Sequence, residues 1–209
     1  MLAKKMKDCF SSKSIGFCRY RAFCDDAHEE TVLPRCLILY HIYPDPKIFN
    51  LFLNEEDQIN IPPENNAIFF DDFYLDIFTR MSKYGKVDNL LISGDTSFDL
   101  TGNAYVLFHE VDTAFIAYSH LVGKCFYAGR KISIELAPIS QLSLLKCREM
   151  EKKGNCDVQN CPYIHSITPS PAVYSKCFPS TLIIYPNKLS PLKSQDQEEI
   201  QIQHLYFTQ

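Results

Sequence analysis

Cys9, Cys18, Cys24 and His28 are separated by eight, five and three residues, and Cys147, Cys156, Cys161 and His165 by eight, four and three. Three thiolates and one imidazole fill a tetrahedral zinc shell and leave no position for a catalytic water, so the chemistry they suit is structural. Gly16 and Gly154 each fall two residues before the second cysteine. The two clusters are therefore an internal repeat rather than scattered thiols. Each filled site would carry a net charge of about −1, and Zn2+ would supply much of the folding free energy of so short a segment. Cys36, Cys125 and Cys177 lie outside the pattern and read as core or surface thiols. His41, His109, His120 and His204 have no cysteine at ligand spacing and receive no role.

Composition narrows the classes. A chain of 209 residues, 46% hydrophobic and with 15 Phe, has ample material for a packed core and could hold one medium domain, or one of about 100 residues with small appendages. Net charge is −4, so a nucleic-acid site would have to be local. Lys4, Lys5, Lys7, Lys13, Arg19 and Arg21, set against Asp8, make the segment before Cys24 such a basic patch. No stretch reads as a membrane span, and Met1–Asp8 is basic without a signal-peptide core, which points to an intracellular protein. In a reducing compartment nine cysteines read as metal ligands or free thiols.

The elements that must position the clusters come between them. Cys36–Ile42 is a nearly continuous apolar run, a central strand ended by Pro44 and Pro46. Residues 47–70 read mainly as loop, with a short helix possible at Ile48, Phe49, Leu51 and Phe52. Asp71 or Asp72 then caps a helix carrying Phe73, Ile77, Met81 and Tyr84 at helical spacing, and Gly85 stops it. Val87–Ser93 is a strand. Gly102–Phe108 alternates as a half-buried strand, with Ala104, Val106 and Phe108 on one face and Asn103, Tyr105 and Leu107 on the other. Ala114, Ala117, Tyr118 and Leu121 mark a second helix, and Lys131–Leu136 a last strand. Ile139–Lys152 reads as a further helix.

This order predicts an α+β chain: a ferredoxin-like βαββαβ domain flanked by two small CCCH zinc fingers. The expected division is a first finger over 1–35, a middle domain over 36–138, a linker helix and second finger over 139–177, and a tail over 178–209. Leu182–Tyr185 and Ile200–Phe207 are the tail segments able to pair or dock.

With Gly102–Phe108 at its centre, the middle domain resembles an RNA-recognition motif. That family stacks bases on aromatics of its open sheet face, at about 1–3 kcal/mol per base. Here the usual aromatic positions hold Asn103 and Ile38, and only Tyr105 survives. The departures resemble the U2AF-homology variant, which binds peptides with an acidic first helix and an Arg-x-Phe loop before the last strand. Asp71, Asp72 and Asp76 supply the acids, and Lys124-Cys125-Phe126 occupies the loop. A Trp from a partner would slot between Phe126 and the helix. The alternative is a solvated acidic face with Phe126 in the core.

Finger, peptide-binding domain and finger in this order resemble the small subunits of the U2 snRNP auxiliary factor, from about Cys9 to His165. Ile42-Tyr43-Pro44-Asp45-Pro46, Phe78-Thr79-Arg80-Met81, Lys83-Tyr84-Gly85, Gly102–Phe108 and Glu135-Leu136-Ala137-Pro138 carry the resemblance with the paired fingers. It implies a nuclear, non-enzymatic splicing factor with two zinc ions. Its fingers would pack together on the sheet and bind the AG of the 3′ splice site in single-stranded pre-mRNA. Its middle domain would pair with a Trp-containing peptide of the large subunit. By position, Arg19 and Tyr163 match RNA-contacting residues of the family. Fingers that read RNA in this way would stack bases on Phe17, Tyr20, Phe23 and Tyr163, with Lys13, Arg19 and Arg21 near phosphates; the alternative for the aromatics is packing around zinc. The chain departs from the family at Ser11 (normally aromatic), at Asp25-Asp26 (usually Ser-Arg) and at Cys125, where the family has Trp. It also lacks the Arg/Ser tail and has four residues, not five, between Cys156 and Cys161. A second reading stays open: a zinc-braced adaptor that recruits a Trp-bearing partner and binds little RNA.

Overall fold

The computed structural model describes residues 7–10, 12, 18, 24–28, 33–46, 50, 54–58, 61–95, 97, 99–158 and 161–179. Expectations for Ile48, Phe49, Leu51 and Phe52, and for Leu182–Tyr185 and Ile200–Phe207, lie outside them.

Strand β1, Cys36–Leu39, is buried at every position. It ends three residues earlier than expected because His41 turns the chain at φ 53°. The Asn103 side chain stabilises that turn by accepting the His41 N–H at 2.8 Å. Helix α1, Asn66–Ser82, follows a 3-10 turn at Pro63–Asn65 and buries Phe70, Phe73, Tyr74, Ile77 and Met81 at helical spacing. Asp71 and Asp72 therefore do not cap it; both sit within its second turn. Prolines restrict φ to values a helix entrance accepts, which is why Pro63 starts the turn rather than marking a loop.

Strands β2 (Val87–Ser93) and β3 (Ala104–Phe108) lead to helix α2, Val111–Leu121. Gly102, at φ +67°, lets the β3 entrance pass against the β1 exit; a Cβ there would stand 2.3 Å from the Tyr43 carbonyl oxygen. The expected last strand is divided. Phe126–Tyr127 (β4) and Arg130–Lys131 (β5) form a separate hairpin, and Ile134–Ala137 (β6) enters the main sheet. The expected helix over 139–152 is also divided, into a 3-10 turn at Leu142–Leu144 and helix α3, Arg148–Lys153. Cys147 breaks it: its backbone is extended and donates its N–H to the Ile164 carbonyl at 2.9 Å. A two-residue strand β7, Ser166–Ile167, and helix α4, Pro171–Cys177, complete the described chain.

The main sheet runs β6-β1-β3-β2-β7 and its pairings are antiparallel. The expected alternation in β3 holds. Ala104, Val106 and Phe108 join Leu37, Leu39, Leu90 and Ile92 beneath α1 and α2. Tyr105 and Leu107 face the other way, with Cys36, Ile38 and Leu91. That second face is not open. Ile139, Leu142, Leu145 and Ile164 close over it, and Tyr105 is left 1% exposed. Among the described residues no helix is long and apolar enough to cross a membrane.

Candidate metal centres and interaction surfaces

Each cluster converges. One ligand atom from each of Cys9, Cys18, Cys24 and His28 lies within 4.8 Å of the others, and the same holds for Cys147, Cys156, Cys161 and His165. The Cys9 and Cys24 sulfurs are 3.8 Å apart, as are those of Cys147 and Cys161. This is the edge of a tetrahedron around an ion bound at about 2.3 Å. The imidazoles agree: Nε2 of His28 and Nε2 of His165 are buried without a hydrogen-bond partner. A buried, unpaired ring nitrogen costs free energy unless it ligates something. The residues fit Zn2+, and these are two Cys3His zinc sites.

The repeat extends to the backbone. In the first finger Cys9 N–H donates to Ala27 O at 2.9 Å and Ala27 N–H to Lys7 O at 2.8 Å. In the second, Cys147 N–H donates to Ile164 O at 2.9 Å and Ile164 N–H to Leu145 O at 2.7 Å. Both fingers thus clip the residue before the histidine to the chain around the first cysteine. Burial works to raise the Cys147 thiol. The backbone N–H groups of Met150 and Glu149, together with the Cys156 and Cys161 thiols, outweigh it and lower the pKa. Hydrogen bonds at a helix entrance favour the thiolate that a metal requires.

The two fingers meet their surroundings differently. Leu145 and Ile164, 1% and 4% exposed, form part of the cover over Tyr105 and Ile38. At the matching positions the first finger carries exposed Lys7 and half-buried Ala27. Asp95, in a connection that sequence reading left without a role, reaches into the second finger. Its carboxylate is 2.9 Å from His165 Nδ1 and accepts the His165 backbone N–H at 3.0 Å. A lone Asp in a turn-rich loop gives no local signal of such a contact, which joins residues 70 positions apart.

The acids of α1 separate into three situations. Asp71 accepts the Ser170 backbone N–H at 2.8 Å and so helps seat α4, whose Phe178 neighbour meets Phe78 edge-on with ring centroids 5.1 Å apart. Asp76 faces Arg80 Nε with both oxygens at 2.9 Å, and it also bonds the Tyr127 hydroxyl. Asp72 is exposed. Phe126 is 63% exposed rather than in the core, beside Tyr127, whose ring packs on Phe73 and beneath the Arg80 guanidinium. Cys125 is half-buried and Lys124 exposed. The structure therefore brings Asp76, Arg80 and Tyr127 together, leaves Phe126 exposed on the adjoining hairpin, and diverts Asp71 to an internal contact.

Of the expected RNA contacts, Lys13, Phe17, Arg19, Tyr20 and Arg21 lie outside the described residues, as do Ser11, Gly16 and Phe23. Tyr163 is half-buried, and its backbone N–H bonds the Cys161 sulfur. Three histidines without assigned roles are structural in this fold. Besides its turn, His41 places Nδ1 2.8 Å from Thr101 O; His109 Nδ1 is 3.0 Å from Asp88; His120 stacks edge-on with Tyr84.

No family model matches the chain. Individual proteins do. A U2af small-subunit splicing factor of Arabidopsis thaliana is 30% identical over 151 residues, 72% of this chain and 53% of that protein. The chain is similar to U2AF small subunits of plants, yeast and mammals. The U2AF 23 kDa subunit of Schizosaccharomyces pombe is 27% identical over 164 residues, 78% of this chain and 73% of that protein. The U2AF 26 kDa subunit of Rattus norvegicus is 24% identical over the same shares. The chain spans about half the length of the plant U2AF small subunits that it matches.

Proposed function

We propose that this U2AF-like chain is a nuclear, non-catalytic subunit of a splicing heterodimer. Its zinc fingers bind the AG end of an intron in single-stranded pre-mRNA, and its middle domain holds a Trp-containing segment of a large subunit. The burial of Tyr105 supports this division of labour more than any other observation. A sheet face closed by the second finger offers no stacking platform, so base contacts pass to the fingers and their aromatic and basic residues. The helical side remains for protein, where Phe126 is exposed next to Tyr127, whose ring packs on Phe73 of α1. Lys13, Phe17, Arg19, Tyr20, Arg21 and Tyr163 are the proposed RNA contacts, and Asp72, Asp76, Lys124 and Phe126 the proposed peptide contacts.

Fluorescence anisotropy on the zinc-loaded chain with the large-subunit peptide, comparing short RNAs ending in UAG and UAC, tests the RNA half. A preference for UAG is expected. The adaptor reading is favoured by exposed Asp25 and Asp26 beside the Cys24 ligand, which would repel phosphate. Equal or absent binding of the two RNAs would leave the adaptor reading in its place. The peptide half has a clean reporter, because the chain contains no Trp. Burial of the peptide's Trp should shift its emission to the blue on mixing.

A further inference from the structure

The two zinc sites repeat one another internally but are attached to the molecule in unequal ways. Asp95 is 8% exposed and lies just beyond the last residue of β2. Its Oδ1 lies 2.9 Å from His165 Nδ1, and its Oδ2 accepts both the His165 backbone N–H at 3.0 Å and the Ser93 hydroxyl at 2.9 Å. A carboxylate in that place holds the ring proton on Nδ1 and leaves the Nε2 lone pair for a metal. Nε2 of His165 is the atom that is buried and unpartnered.

The neighbouring backbone continues the attachment. Gly94 N–H donates to His165 O at 2.7 Å, and Ser93 and Ile92 pair with Ser166 and Ile167. A Cβ on Gly94 would stand 2.6 Å from Ile167 Cγ1, so the finger lies on the strand end as closely as a side chain would forbid. The first finger shares the internal clip. Among the described residues, however, no middle-domain carboxylate is paired with His28, and Lys7 is exposed where Leu145 is buried.

We infer that Asp95 is a positioning residue for His165 and makes the second zinc site part of the middle domain's folding unit, while the first site exchanges zinc on its own. Losing the second ion then requires disturbing the β2 end and the sheet cover; losing the first does not. The inference concerns metal retention and holds whether or not the fingers read RNA.

The test uses the full chain carrying two equivalents of Zn2+ and a competing chromophoric chelator. One ion should leave first, with the other retained at least about tenfold more strongly, and Cys9→Ser should keep only the retained one. Asp95→Asn, which has a single acceptor oxygen where three donors converge, should weaken the retained site by about 10–100-fold and leave the other unchanged. Release of both ions together, or an unchanged retained site in Asp95→Asn, overturns the inference. A measurement on the unaltered chain guards against misfolding of that variant. Nitrogen-15 NMR should show His165 bound through Nε2 with a protected Nδ1 proton; coordination through Nδ1 overturns the inference as well.

Discussion

Asp72 stands exposed on α1 while Asp71 and Asp76 are bonded to Ser170 and Arg80. Partial burial and the neighbouring Asp71 raise its carboxyl above the usual range. The folded chain therefore holds that proton more tightly than the unfolded chain. The associated stability is present below the ordinary carboxylate pKa of about 4 and is lost as pH rises through the raised value. Asp72→Asn should consequently melt slightly higher than the parent chain at pH 7, with the difference closing toward about pH 4; thermal scans across that range check it. Asp72→Lys should weaken binding of a basic Trp peptide in calorimetry without loss of fold. It is a cleaner probe than Asp76→Lys, which would also break the contacts to Arg80 and Tyr127. At a ligand, Cys156→Ser should lower the zinc content from about two ions per chain to about one, by metal analysis, and release the second finger.

Helices and strands decide which surfaces those residues can serve. Helix α1 turns Phe70, Phe73, Tyr74, Ile77 and Met81 into the core, and β4 begins with Phe126 pointing outward at its edge. Phe126→Ala should leave the melting temperature nearly unchanged but cost more than about 1 kcal/mol of peptide affinity if this side chain anchors the Trp. Calorimetric titration and a melting curve on the same sample separate the two effects. Leu145→Ala should do the reverse. It removes a side chain 1% exposed from the cover over the sheet, and truncations of that kind cost about 2–5 kcal/mol. Denaturant unfolding would show the loss, and Tyr105 should become accessible to solvent. Element by element, the apolar alternation of β3 and the spacing in α1 were legible because each is set by the period of its own backbone. The divided segments at 126–137 and 139–153 were not. Cys147 and Ile164 are joined by a hydrogen bond across the finger, and no local pattern announces a partner 17 residues on.

At the scale of the whole molecule, the second finger is a third layer on the sheet, and this changes what the middle domain can bind. Ligand spacing and residue type declared the two zinc sites, because a tetrahedral shell needs its donors within a short, definite stretch of chain. The βαββαβ order was likewise readable from hydrophobic period. Tertiary structure alone decided that the closed sheet face belongs to Ile139, Leu142, Leu145 and Ile164, that Asp71 serves α4, and that Asp95 reaches His165. Each of these joins segments distant in sequence, and which of several acids or apolar residues meets a given partner depends on how the layers pack.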